Sequence, residues 1–427
     1  MTATDVTTPQ IQIPGVSVEQ DTDTEDLVVN IGPQHPSTHG VLRLITTLNG
    51  EVVKEMEAVI GYLHRSKEKM AEGVSYFQYQ PTIDRVEYLS SFYDHYAYVT
   101  AVEKIAGLKV PKRVEYIRMI TMELNRITSH LLWFGTFLLD LGATSPFFYA
   151  FRDREEIFKI FEDITGARMM YNYYRFGGLN NDITPGWLDK VRYFCDWFPD
   201  RLDEYEAIVN KNPIVMDRTI GLGLIDRELC MKYGVTGPNI RAAGVPMDLR
   251  KTNPYCCYDE IEFDVPVGER GDVYDRYIVR MKEMRESLRI IRQAIDKIPG
   301  GDAAEVEKLR QAVAAKEEAA KAKAKETGEK PEPVPPINPD FEFKGQKINL
   351  MTYKPPAGEA YTTVESPRGL LGCYMISDGT PKAARVKWRG ASFSNLAALP
   401  ELMIGQLYPD LMAIFGSLDV IMPEVDR

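Results

Sequence analysis

The sequence predicts an α+β fold, and three observations carry that reading. Residues 27–63 run in short apolar stretches broken at Asn49-Gly50, a strong signal for a tight hairpin. From about Arg85 the apolar period becomes that of helices, and after residue 346 the pattern is mixed again. A small N-terminal β domain, a central helical bundle and a C-terminal mixed α/β region follow from this order. At 427 residues the chain has room for two or three such units.

Residues 1–26 are expected to be an extended or disordered tail. They are rich in Thr, Asp, Val and Gln and lack the basic start and apolar core of a signal peptide or anchor. The β domain is assigned to residues 27–75. Within it, residues 31–40 read IGPQHPSTHG and hold two of the five histidines, His35 and His39, between Pro33, Pro36 and flanking glycines. Such a loop is stiff and polar, and it joins the apolar runs Leu27-Val28-Val29 and Val41-Leu42-Arg43-Leu44-Ile45. It is either a surface turn or a rigid mount that aims an imidazole into a cleft.

Residues 76–300 are assigned to the helical bundle. After Pro111, residues Ile117, Ile120, Leu124, Ile127, Leu131, Phe134 and Leu138 recur at spacings of three and four, the seam of a bundle helix. Glu123, Arg126 and His130 form a second stripe on the same helix. Apolar residues crowd the rest of the segment, so this stripe is expected to be a buried, mutually satisfied network rather than a solvated face. Thr136 and Asp140 lie one turn apart near the helix end. Asp140 is either a helix-end residue facing water or a partly buried carboxylate that needs a partner.

Further helices are expected at about 149–165, 187–210 and 271–298, with Gly- and Pro-containing connectors such as TGPNIRAAGVPMDLRKTNPY packing across the bundle ends. Residues 301–345 are an insertion. Its Ala/Lys/Glu stretch predicts a solvated helix with no apolar face broad enough to join the core, followed by an extended PEPVPP linker. In residues 346–427, TTVESPRGLLGCYMISDG reads as strand, tight turn and strand, and SNLAALPELMIGQLYPDLMAIFGSLD as one or two helices.

Composition removes several classes of function. The net charge of -11, with no basic stripe interleaved with aromatics, argues against nucleic acid as a partner. The longest apolar passage, residues 131–139, is too short to span a bilayer, so a membrane association would run through partners. Cys195, Cys230, Cys256, Cys257 and Cys373 show no CxxC spacing, so the chain is expected to hold no metal of its own and to reside in a reducing cytoplasm.

GPQHPSTHGVLRL, IGYLHRSKEK, DRVEYLSSF, ELNRITSHLLWFGTFLLDLGATSPFFYAFRDRE, DLRKTNPY, DVPVGERGD and EVDR, in this order, resemble the D-type subunits of bacterial NADH-quinone oxidoreductases, respiratory complex I. The likeness runs from about residue 28 to 300 and from about 346 to 427. It implies a fold like the large subunit of nickel–iron hydrogenases, which hold their metal with two CxxC pairs. This chain has none, and ligand chemistry then excludes hydrogen activation.

The resemblance implies a quinone-reducing site. In that family the loop matching His39 and a helix start matching Tyr88 form the head of a quinone cavity, with Asp140 paired to the histidine and Thr136 lining the cavity. His39, Tyr88 and Asp140 are then the catalytic candidates, and His39, Tyr88 and Thr136 the quinone-binding ones. The chemistry suits them, because quinone reduction consumes two protons and needs donors already in place as charge develops.

The implied cofactors lie elsewhere: a 4Fe-4S cluster in a small iron–sulfur subunit delivers the electrons, with NADH and FMN further off in the complex. His64, Arg65 and Met170 match positions close to that cluster without ligating it. Other peripheral-arm subunits and a membrane quinone-channel subunit are the further partners. The implied location is peripheral, on the cytoplasmic side of the cell membrane. The alternative is a metal-free hydrogenase-like scaffold in a related complex fed by another donor. Three positions depart from the family pattern: Met170 replaces a common histidine, Leu370 a common carboxylate and Ser66 a common glycine.

Overall fold

The computed structural model describes residues 16–20, 26–35, 40–327, 338–345, 349 and 352–427. His39 and the PEPVPP linker lie outside the described residues.

The N-terminal unit is a four-stranded antiparallel sheet in the order β1-β2-β5-β6, formed by β1 (Val16–Gln20), β2 (Asp26–Ile31), β5 (Arg43–Asn49) and β6 (Val52–Val59). Pairing of β1 with β2 brings residues 16–20 of the expected tail into this sheet. A second, two-stranded ribbon, β3 (Gln34–His35) with β4 (Gly40–Val41), branches from it. Along β5, Leu44, Thr46 and Leu48 turn inward while their neighbours stay partly exposed, as a period of two requires.

Helices begin earlier than the periodicity suggests, with α1 (Lys67–Gly73) and α2 (Tyr76–Ile83). Ser75 caps α2 in a reciprocal capping box with Gln78, a local signal that offsets the Pro81 inside the helix. α3 (Ser91–Ala106), α4 (Lys112–Asp140) and α5 (Ser145–Thr165) follow. α4 packs against α3, α5 and two later helices, and is buried on nearly every face. Gly135 permits the close crossing of α4 and α5, since a Cβ there would stand 3.2 Å from Phe147 Cα. Each fully buried Leu or Ile of the α4 seam contributes about 2 kcal/mol.

A short ribbon, β7 (Tyr174–Arg175) and β8 (Gly178–Leu179), leads to α6 (Trp187–Val209). Four short helices come next: α7 (Pro213–Asp217), α8 (Arg227–Tyr233), α9 (Pro238–Ala242) and α10 (Leu249–Thr252). The last long bundle helix is α11 (Val273–Lys297). The connector carrying α9 and α10 does not lie across the bundle ends as expected. Arg241 and Arg250 are fully buried and reach Glu283 and Glu123, the latter well inside α4. Buried guanidinium groups are tolerated there because acidic partners meet them.

The insertion forms α12 (Ala303–Thr327), and its first turns are anchored to the body rather than fully solvated. Val306 is buried, Arg310 Nη2 donates to Glu342 at 2.9 Å, and Gly345 N donates to Gly177 O at 2.8 Å. The C-terminal region holds a meander of β9 (Gly358–Ser366), β10 (Gly369–Ser377) and β11 (Arg385–Arg389), packed on α3. Instead of one or two helices, three short ones follow, α13 (Ala391–Ala397), α14 (Leu399–Met403) and α15 (Leu411–Ser417). Pro400 and Gly405 interrupt the apolar run that suggested longer ones. α16 (Met422–Asp426) closes the chain.

Candidate functional site

The turn formed by residues 84–90, between α2 and α3, carries Glu87 and Tyr88. Tyr88 therefore sits before the helix start, not in it. The turn is rigid for a stated reason: Glu87 Oε1 accepts from Leu89 N and Ser90 N at 3.0 and 3.1 Å, and Glu87 N donates to Asp94 Oδ2 at 2.7 Å. Asn125 Nδ2 of α4 donates to Leu89 O at 2.9 Å and pins the turn to the bundle. Tyr88 is half-buried, and burial pushes its phenol above the ordinary range while Arg368 pulls it back.

Arg368 comes from the tight turn between β9 and β10 and is fully buried. Its Nη1 lies 3.0 Å from Glu87 Oε1 and donates to Ser129 Oγ at 3.1 Å, while Nη2 donates to Asp419 Oδ1 at 3.1 Å. The charge of Arg154 also reaches Tyr88. Arg154 is 5% exposed, donates from Nε to Thr128 O at 3.1 Å and stacks over the Phe158 ring at 4.5 Å. Burial pulls its pKa down to about 10. Burial, with Glu87 and Asp419, outweighs the two guanidinium charges, so the phenol keeps its proton and is able to donate it.

Ser129, Thr136 and Asp140 share a face of α4, seven and eleven residues apart, so Asp140 stands about 16 Å along the axis from the Arg368 contact. Thr136 is half-buried and its Oγ1 donates back to Leu132 O at 3.0 Å. Asp140 is half-buried and adjoins α15, with its Oδ2 3.9 Å from where Gly416 would carry a Cβ. Trp133 Nε1 donates to Gly416 O at 2.8 Å and fixes α15 along this face. Asp419, the Arg368 partner, lies just beyond α15.

The chain leaving the His39 loop lies beside the C-terminal segment, since a Cβ on Gly40 would be 3.1 Å from the Met422 side chain. That same segment holds residues 61–65. Asp426 accepts from Gly61 N at 2.8 Å and Leu63 N at 2.7 Å, and the exposed His64 donates from Nδ1 to Asp426 O at 2.7 Å. Arg65 Nη2 donates to Arg85 O at 2.6 Å, and burial lowers its pKa. Lys67 is buried against the end of α2, donating to Thr82 O at 3.0 Å. Burial, then Arg65 and Arg85, lower its pKa to about 8. Met170 is half-buried at φ +59, and the adjoining Tyr171 stacks on Phe92 of α3 at 4.2 Å.

The family model described as the 49 kDa subunit of respiratory-chain NADH dehydrogenase matches residues 140–427. An H-type subunit of the NAD(P)H-quinone oxidoreductase of Gloeobacter violaceus is 47% identical over 407 residues, covering 95% of this chain and 99% of that one. The chain belongs to this family. The D-type subunit of the NADH-quinone oxidoreductase of Dehalococcoides mccartyi is 45% identical over 405 residues, with 95% and 99% coverage. The H-type subunit of the NAD(P)H-quinone oxidoreductase of Thermosynechococcus vestitus is 47% identical over 408 residues, again with 95% and 99%.

Within this 49 kDa-subunit framework, no three His, Cys, Asp or Glu side chains of the described residues are grouped to hold a metal ion. No helix among them is long and apolar enough to cross a membrane. The polar stripe of α4 is buried, but not as a closed set. Glu123 pairs with Arg126 at 3.1 Å and with Arg250 at 3.1 Å, whereas His130 turns to Glu283.

Sequence reasoning missed Glu87, Arg154, Arg368 and Asp419. The one usable signal was Glu87 directly before Tyr88. Arg368 gave none, because an arginine between Pro367 and Gly369 reads as the exposed tip of a turn.

Proposed function

We propose that this chain is the quinone-binding subunit of the peripheral arm of a proton-pumping NADH-quinone oxidoreductase. With a small iron–sulfur subunit it forms the place where quinone becomes quinol. The observation that carries this reading is the half-buried phenol of Tyr88, held on a clamped turn within electrostatic reach of Arg368 and Arg154, in a chain whose relatives are named for quinone reduction.

Tyr88 donates a hydrogen bond and then a proton to a ring oxygen of the quinone, and His39 serves the other end of the site. Asp140 orients that imidazole and stabilises its protonated form. Thr136, its hydroxyl turned back onto α4, offers the cavity a methyl wall. Electrons come from a 4Fe-4S cluster of the small subunit, beside which His64, Arg65 and Met170 stand, and NADH and FMN act elsewhere in the complex. A membrane subunit supplies the quinone channel, and the chain sits on the cytoplasmic side of the cell membrane, held through its neighbours.

The test is Tyr88→Phe and His39→Ala in the assembled complex. Quinone reductase activity falls by about 100-fold or more with subunit content unchanged, the scale of a lost general acid. Normal turnover by both variants would overturn the assignment.

A further inference from the structure

Resting on the proposed role of Tyr88, we infer that Glu87 is the proton store that refills the Tyr88 phenol after each transfer. The two oxygens of its carboxyl are unlike. Oε1 takes Leu89 N, Ser90 N and the Arg368 guanidinium, whereas Oε2 is buried with no hydrogen-bond partner among the described protein groups. Oε1 is thus built to carry negative character and Oε2 to carry a proton.

The surrounding charge demands that proton. Arg368 faces Glu87, Asp419 and, further off, Glu424, all buried, while Arg280 also faces Asp419 and Arg389 also faces Glu424. Asp94 of α3 binds the backbone of Glu87 and leaves its own Oδ1 unpartnered. Asp94 in turn faces Asp84, which His95 Nε2 meets at 3.0 Å, the Lys67 ammonium of α1, the Tyr79 phenol of α2 and the Cys373 thiol of β10. Among the described residues Arg368 is the only cation within ion-pair distance of Glu87 and is shared with Asp419, while Asp94 against Glu87 has none, so in a dry interior a neutral Glu87 is favoured. Burial raises Glu87 to about 7, against the pull of Arg368.

The step balances without further reagents. Tyr88 Oη gives its proton to the quinone oxygen, which has received electrons from the iron–sulfur donor. The Glu87 Oε2–H bond then breaks, the proton crosses to Tyr88 Oη through a bridging water, since the two oxygens share no direct hydrogen bond, and the new Glu87 carboxylate is held by Arg368. Glu87 acts through Tyr88 and need not touch the quinone.

The experiment uses the intact complex, NADH and a short-chain quinone, with kcat and KM followed from about pH 6 to about 8.5. The unsubstituted complex loses kcat as pH rises past about 7, when Glu87 is empty. Glu87→Gln lowers kcat by about 10- to 100-fold, leaves KM in place and removes that pH limb. Glu87→Asp keeps a limb but moves it. Glu87→Gln turning over normally with the same limb overturns the inference. Should that variant not assemble, Glu87→Asp decides: an unmoved limb at full kcat overturns it, and a moved one supports it. Tyr88→Phe separates the two ideas, since its full activity would remove the proposed function itself. An inactive Tyr88→Phe beside an unaffected Glu87→Gln removes only the proton store.

Discussion

His130 Nε2 lies 2.9 Å from Glu283 Oε2, and neither side chain is exposed. This contact joins α4 to α11, and Glu283 also takes Arg241 at 2.7 Å. Burial lowers the His130 pKa, so at neutral pH an uncharged imidazole donates to a carboxylate that Arg241 keeps ionised.

Removing the shared acceptor strips Arg241 of one of its two close carboxylates, Glu365 at 2.7 Å being the other, and leaves His130 without its acceptor in a dry interior. Glu283→Ala is expected to cost about 3–5 kcal/mol, while His130→Phe, which strands only one hydrogen bond, costs about 1–3 kcal/mol. Thermal inactivation of the assembled complex measures both, and equal effects would contradict the charge argument.

Glu123 and Glu87 give opposite pH dependences. Burial alone would raise Glu123, but Arg126 and Arg250 outweigh it and hold the folded pKa at about 2. Since this lies below the unfolded value, the stabilisation is whole above about pH 4.5 and is lost as pH falls towards 2, on the order of 3 kcal/mol. Glu87, raised to about 7, contributes stability below about pH 4.5 that fades as pH rises through 7. Urea midpoints across pH should show Glu123→Gln flattening the acid limb and Glu87→Gln the neutral one.

Ser66 has φ +52 and its hydroxyl makes no capping bond to α1. Ser66→Gly relieves the left-handed strain at no loss of a hydrogen bond. It should stabilise by about 0.5–1 kcal/mol, read as a raised inactivation temperature.

Gly237 supports the turn that delivers Arg368. It has φ +74, and a Cβ there would stand 2.5 Å from Gly369 Cα and 2.6 Å from Arg368 O. Gly237→Ala pushes this turn away and costs about 1–3 kcal/mol by overpacking alone. Quinone reduction should fall with it; full activity would show that the Arg368 placement is dispensable.

Met170 brings no titrating group to its position, which the proposed function sets beside the iron–sulfur cluster. The potential of the neighbouring cluster should vary little with pH, and Met170→His should add a step near pH 6.5. A redox titration showing the usual slope in the unsubstituted complex would refute this.

Some of these features were legible in the residues alone and others were not. The α4 seam, the Asn49-Gly50 hairpin and the strand pair around Pro367 can be read from spacing, because each is set by neighbours within a few positions. The resemblance carried Tyr88, Thr136 and Asp140. Their companions Arg154 and Arg368 did not announce themselves, since a charged residue looks solvent-exposed until its surroundings are known.

The sequence by itself determined the order of units, the long helices and the absence of a CxxC ligand set, all properties of local pattern and residue type. Only the tertiary structure decided which charges are buried together: Arg368 with Glu87 and Asp419, Arg250 with Glu123, Arg241 with Glu283. The physical reason is that burying a charge is costly unless its counter-charge arrives in the same place, and here those partners come from segments far apart in the chain. No window of sequence contains both halves of such a pair.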